Sequence, residues 1–145
     1  MTRWPEAEGV RLRGTDVIGL RVDAPLIAIV DDDESVCIGM TSLVRSLGYE
    51  VQTFGSAEDF LQSRERSGTA CLISDVQMPG LGGLELQQIL AAEGSRLPII
   101  FMTAYPDPGI RQLAIQGGAL CFLSKPFDGA DLIRCLENAL GGEAA

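Results

Sequence analysis

The chain has 145 residues, enough for one domain, and 46% of them are hydrophobic, enough to build a core. Eleven basic against 20 acidic residues give a net charge of −9 with no histidine, which excludes the basic stripe a nucleic-acid surface needs. The apolar runs, about five residues at their longest, fall well short of the roughly 20 of a membrane-spanning helix, and no apolar secretory segment opens the chain.

Residues 1–24 balance Arg3, Arg11, Arg13 and Arg21 against Glu6, Glu8, Asp16 and Asp23 and show no sustained hydrophobic period. They are expected to form a poorly ordered extension, leaving a domain over 25–142 and a frayed tail at 143–145. Leu26 to Val30 is a continuous apolar run, the mark of a strand covered on both faces. Val36, Cys37, Met40, Leu43, Val44 and Leu47 then recur at helical spacing until Gly48 ends the helix. Glu50 to Phe54 alternates polar with apolar, as an edge strand with one wet face does. Ser56 caps a short helix through Phe60 and Leu61.

Ala70 to Ile73 is the next buried strand, and Gly80, Gly82 and Gly83 lead into a helix around Leu86, Ile89 and Leu90. Ile99 to Met102 is another buried strand, followed by a helix through Ile110, Leu113 and Ala114. Ala119 to Leu123 reads as a last buried strand, before a helix carrying Leu132, Ile133, Leu136 and Leu140. Five alternations of strand and helix call for a doubly wound α/β fold with a parallel sheet. Cys37, Cys71, Cys121 and Cys135 form no C-x-x-C pair, and all four are expected to be reduced thiols of a cytoplasmic protein.

Ligands of an open parallel sheet bind beyond the carboxyl ends of its strands. The buried runs are followed by Asp31-Asp32-Asp33, by Ser74-Asp75, by Thr103 and by Ser124-Lys125. Asp33 and Glu34 serve equally well as helix N-terminal acids. Lys125 is the single lysine among eleven basic residues, which marks a place where a compact point charge is wanted. Clustered carboxylates repel one another, and a divalent cation relieves the conflict. Oxygen ligands select a hard ion, Mg2+ being the natural choice beside a phosphate. A lysine ammonium and a threonine hydroxyl opposite the ion would hold phosphoryl oxygens, with a carboxylate as nucleophile.

The runs Ile29 to Glu34, Ser74 to Gly80 with Gly83, Met102-Thr103-Ala104 and Lys125-Pro126-Phe127 resemble the response-regulator receiver domain of two-component signalling. The Asp-Asp-Asp-Glu opening and Ser56 to Leu61 are most similar to FixJ-like receivers. The resemblance, over residues 25–140, implies a CheY-like five-stranded sheet of order 2-1-3-4-5. It implies Asp75 as phosphoacceptor, and Asp31, Asp32, Asp75 and the backbone carbonyl of Gln77 as Mg2+ ligands. Thr103, the Ala104 amide and Lys125 are the implied phosphoryl contacts, Thr103 and Phe122 the implied switch pair, and a cis bond is implied before Pro126. Partners implied are a sensor histidine kinase or histidine phosphotransfer protein, a downstream protein, and a second copy in a phosphorylation-linked dimer. Catalysis would be confined to the chain's own phosphorylation and its slow reversal, and neither nucleic acid nor membrane is expected to bind this domain.

Gln77 and Tyr105 flank the path of a hydrolysing water, and the bulk of Tyr105 is expected to slow phosphoryl loss. The chain stops soon after its last helical pattern, which suits a stand-alone regulator. A receiver fragment of a DNA-binding transcriptional regulator and a phosphate sink are the alternatives. Asp31-Asp32-Asp33 also resembles the opening of haloacid-dehalogenase phosphohydrolases, where Asp31 would be nucleophile and Asp33 acid/base.

Overall fold

The computed structural model describes residues 24–140, so the expectations for the extension and for the tail lie outside the described residues. Strands β1 (Leu26–Val30), β2 (Glu50–Phe54), β3 (Thr69–Asp75), β4 (Ile99–Thr103) and β5 (Cys121–Ser124) form one parallel sheet of order β2-β1-β3-β4-β5. Helices α1 (Glu34–Ser46), α2 (Ala57–Gln62), α3 (Gly83–Ala92), α4 (Pro108–Gln116) and α5 (Gly129–Leu140) connect and cover it, with a 3-10 turn at Arg64–Gly68 that the sequence pattern does not announce.

Strand side chains alternate between two cores. Ile27, Ile29, Ile73, Ile100 and Met102 pack on one face with Cys37, Met40 and Val44 of α1 and Leu132 and Leu136 of α5. Ala28, Val30, Leu72 and Phe101 pack on the other with Phe60 of α2, Leu86 and Leu90 of α3 and Ala114 of α4. Both faces of the central strands are thus covered, as their unbroken apolar runs require.

The edge strands differ from their expected forms. β2 does not keep one wet face: Val51 enters the first core and Phe54 the second, so each face of the strand buries one residue. β5 begins at Cys121, two residues later than expected, and is half-buried because, among the described residues, only β4 pairs with it.

The cysteine expectation needs correction for one pair. Cys37 and Cys71 are buried free thiols, but Cys121 and Cys135 form a disulfide with their Cα atoms 6.2 Å apart. Cys121 points from β5 toward the layer of α1 and α5, and Cys135 lies on the inner face of α5. A separation of 14 residues carries no sign of this meeting, which the packing of helix on strand creates.

Candidate functional site

Strand register assembles the site. Val30 pairs with Ser74, so Asp31 emerges beside Asp75 at the end of β3. Thr103 pairs with Ser124, and the Lys125 amide donates to the Thr103 carbonyl at 2.7 Å, so Lys125 follows directly beyond the sheet. Acids from two strands, a hydroxyl from a third and an ammonium from a fourth thus meet on one rim.

Asp31 is 1% exposed and Asp75 7%, whereas Asp32 faces solvent. One carboxylate oxygen from each of the three lies within 4.8 Å of the others. Lys125 Nζ stands 3.0 Å from Asp31 Oδ2 and 3.6 Å from Asp75 Oδ2. The other Asp31 oxygen accepts the Asp33 amide at 2.8 Å, and Asp75 Oδ1 accepts the Gln77 amide at 3.4 Å.

The electrostatics follow from this crowding. Burial and the charge of Asp31 push the Asp75 carboxyl above its ordinary value, against the pull of Lys125. Burial works against the Lys125 charge, but its Asp31 hydrogen bond and the nearby Asp75 outweigh it and raise the ammonium above its usual range. The rim therefore holds more negative charge than one lysine offsets. An all-oxygen donor set in that state fits a hard divalent cation, Asp31, Asp32 and Asp75 being the residues that would hold it.

Asp33 takes no part. Its carboxylate caps α1, accepting from the Ser35 hydroxyl at 2.7 Å and from the Ser35 and Val36 amides at 3.0 and 3.4 Å. The Ser35 hydroxyl and amide, with the Val36 amide, hold its pKa below the ordinary value. That carboxylate, given the acid/base role in the phosphohydrolase alternative, is engaged at the helix end.

Thr103 is buried at the tip of β4, and its Oγ1 accepts the Tyr105 amide at 3.0 Å. Ala104 is exposed beside it, and the Tyr105 side chain projects outward, 73% exposed. Gln77 is exposed just past Asp75. Phe122 is half-buried on the face of β5 opposite the disulfide, edge-on to Phe101 with ring centroids 6.5 Å apart. The Lys125-Pro126 bond is cis, as the resemblance implied.

Two supports escape a reading of the strand tips alone. Glu58 of α2 accepts the Leu81 amide at 3.2 Å and pins the loop after β3. At Gly83 a Cβ would stand 2.5 Å from the Asp75 carbonyl oxygen and 2.8 Å from the Phe101 ring, so only glycine lets α3 begin against the end of β3. The sequence signals were Glu58 two residues past the α2 cap and the run of glycines after Asp75.

A doubly wound sheet with an acidic rim facing one lysine defines the class, and comparison with known proteins places the chain within it. The family model of the response regulator receiver domain matches residues 27–137, and the chain belongs to that family. It is 42% identical over 117 residues to response regulator protein TodT of Pseudomonas putida, a match covering 81% of this chain and 52% of that protein. It is 36% identical over 118 residues to transcriptional regulatory protein FixJ of Azorhizobium caulinodans, covering 81% and 56%. Among solved structures, response regulator StyR superposes with a TM-score of 0.76 at 41% identity, covering 83% of this chain and 61% of that one. FixJ-N superposes with a TM-score of 0.72 at 28% identity, covering 81% and 94%. The chain spans about half the length of the curated relatives it matches.

Proposed function

We propose that the rim is a phosphoryl acceptor site in which Asp75 takes a phosphoryl group from a phosphohistidine on a partner kinase or phosphotransfer protein. The observation carrying this reading is Lys125 Nζ set between Asp31 and Asp75, beside three carboxylate oxygens that converge within 4.8 Å. Asp31, Asp32 and Asp75, with the Gln77 carbonyl, are the proposed Mg2+ ligands. Bound there, Mg2+ would supply positive charge against the transferring phosphoryl oxygens.

Within this reading the Asp75 oxygen attacks phosphorus in line as the histidine nitrogen leaves, and the chain acts as a catalyst only on itself. Lys125 neutralises the incoming charge. Asp31 holds the Lys125 ammonium in place from its buried position. The Thr103 hydroxyl and the Ala104 amide serve as donors to the new phosphoryl oxygens. Drawn toward the phosphoryl group, Thr103 moves away from the Tyr105 amide it now accepts from, and the space this opens admits the Phe122 ring. The face of α4 and β5 then changes shape for a protein partner or a second copy. A two-state change of this kind takes only a few kcal/mol of differential binding.

A second reading of the output has an observation in its favour. Relatives at 36–40% identity are named transcriptional regulatory proteins, and the matched segment makes up only 52–56% of their length. In that case the same switch governs transcription through further chain, where the stand-alone reading has it act on a separate protein. The phosphate-sink reading dispenses with an output partner altogether.

Transfer from a labelled phosphohistidine protein tests the central step. Wild-type chain is expected to take up label as a hydroxylamine-labile acyl phosphate, and Asp75→Asn to take up none. Equal labelling of both would overturn the assignment.

A further inference from the structure

The Cys121–Cys135 bridge lies outside the phosphoryl chemistry. Cys121 opens β5, which among the described residues is an edge strand hydrogen-bonded to β4 alone. Cys135 sits on α5 between Leu132 and Leu136, in the core that α5 makes with the sheet. The bridge therefore joins the last strand, which carries Phe122 and runs on to Lys125, directly to the last helix. Its Cα separation of 6.2 Å falls within the span a disulfide bridges without backbone movement.

The two residues of the bridge are unequally exposed. Cys135 is 6% exposed, whereas Cys121 is half-buried at the sheet edge, so a small thiol or disulfide reaches Cys121 first. Cys37 and Cys71 line the same core but are buried, and burial pushes both thiols up, Cys71 to about 12. They carry little thiolate and serve as internal controls.

We propose that Cys121 and Cys135 form a reversible thiol–disulfide site that exchanges with a low-molecular-weight disulfide of the glutathione class and staples α5 to β5. In the oxidising direction the Cys121 thiolate attacks one sulfur of the small disulfide. A mixed disulfide forms, and a small thiolate leaves and takes up the proton Cys121 had lost. The Cys135 thiolate then attacks the Cys121 sulfur and expels the second small thiol. Two protein thiols lose two electrons, and one small disulfide gains them to become two thiols. Reduction runs backward from attack of a small thiolate on Cys121, with Cys135 as leaving group. The proposal is independent of the phosphoryl reading.

The test equilibrates the full chain in glutathione mixtures of graded oxidised share, quenches with acid, alkylates and maps the peptides. Cys121 and Cys135 should be alkylated in reducing mixtures, linked to each other in oxidising ones, and released again by added reductant. Cys37 and Cys71 should stay thiols throughout. Closing a loop of this size should raise the melting temperature of the oxidised form by roughly 10 °C, a gap that Cys135→Ala abolishes. Should that variant fail to fold, Cys121→Ala removes the bridge from its half-buried side. A link that never forms, one that survives the most reducing mixture, one joining other cysteines, or equal melting temperatures for the two forms would each overturn the proposal.

Discussion

Lys125 Nζ lies 3.0 Å from Asp31 Oδ2 and 3.6 Å from Asp75 Oδ2, so the chain's single lysine divides its charge between an enclosed acid and the proposed phosphoacceptor. Lys125→Met leaves both carboxylates without that counter-charge. Phosphorylation by a small phosphodonor at saturating Mg2+ should then fall by about 100-fold, the scale of losing one transition-state donor. Lys125→Arg should restore only part of the rate, because a planar fork does not replace a point charge at two distances. Initial rates followed by intact mass would check both.

The raised pKa of Asp75 has a consequence for stability. Between its ordinary value of 3.8 and the higher folded value, the native state binds the proton more tightly than the unfolded chain does. Stability therefore falls as pH rises through that window and stays lower at neutral pH. Asp75→Asn removes the crowded charge at nearly constant shape. Its melting temperature in chelator should exceed the wild-type value by a few degrees near neutral pH, and the gap should close as pH falls below the window. A lower melting temperature near neutral pH would contradict the charge crowding described for the rim.

Gly83→Ala places a Cβ against the Asp75 carbonyl oxygen and the Phe101 ring, neither of which can withdraw cheaply. Overpacking at this junction should cost about 3 kcal/mol, read as a lower urea midpoint at unchanged slope. The phosphoryl site should suffer with it, since the carbonyl in question belongs to Asp75.

Tyr105 follows Thr103 by two residues, its amide donates to Thr103 Oγ1 at 3.0 Å, and its side chain is exposed. If its ring screens the acyl phosphate from water, Tyr105→Gly should shorten the lifetime of phosphorylated Asp75. An unchanged half-life would assign the exposed ring to a partner contact instead.

The strand tips were legible because their polar residues break off sharply from apolar runs that have no other use. Asp31, Asp75, Thr103 and Lys125 all stood out in that way, and parallel register brings them to one edge. Pairings between distant segments were not legible in the same way. The Glu58 contact to Leu81 spans 23 residues and depends on how α2 packs, and the Cys121–Cys135 bridge depends on which face of α5 turns inward. At β2 the period misled, since Val51 and Phe54 are three apart and so must face opposite layers. At β5 the apolar run was genuine, but a run does not say whether a strand has one neighbour or two.

The central claim is that Asp75 accepts a phosphoryl group with Mg2+ held beside it. Incubation with a small acyl phosphate, with Mg2+ and with chelator, followed by reductive trapping and peptide mapping, tests it most directly. The account predicts modification of the peptide containing Asp75, at that residue alone, and only when Mg2+ is present. Modification at Asp31, or at Asp75 to the same extent in chelator, would contradict it.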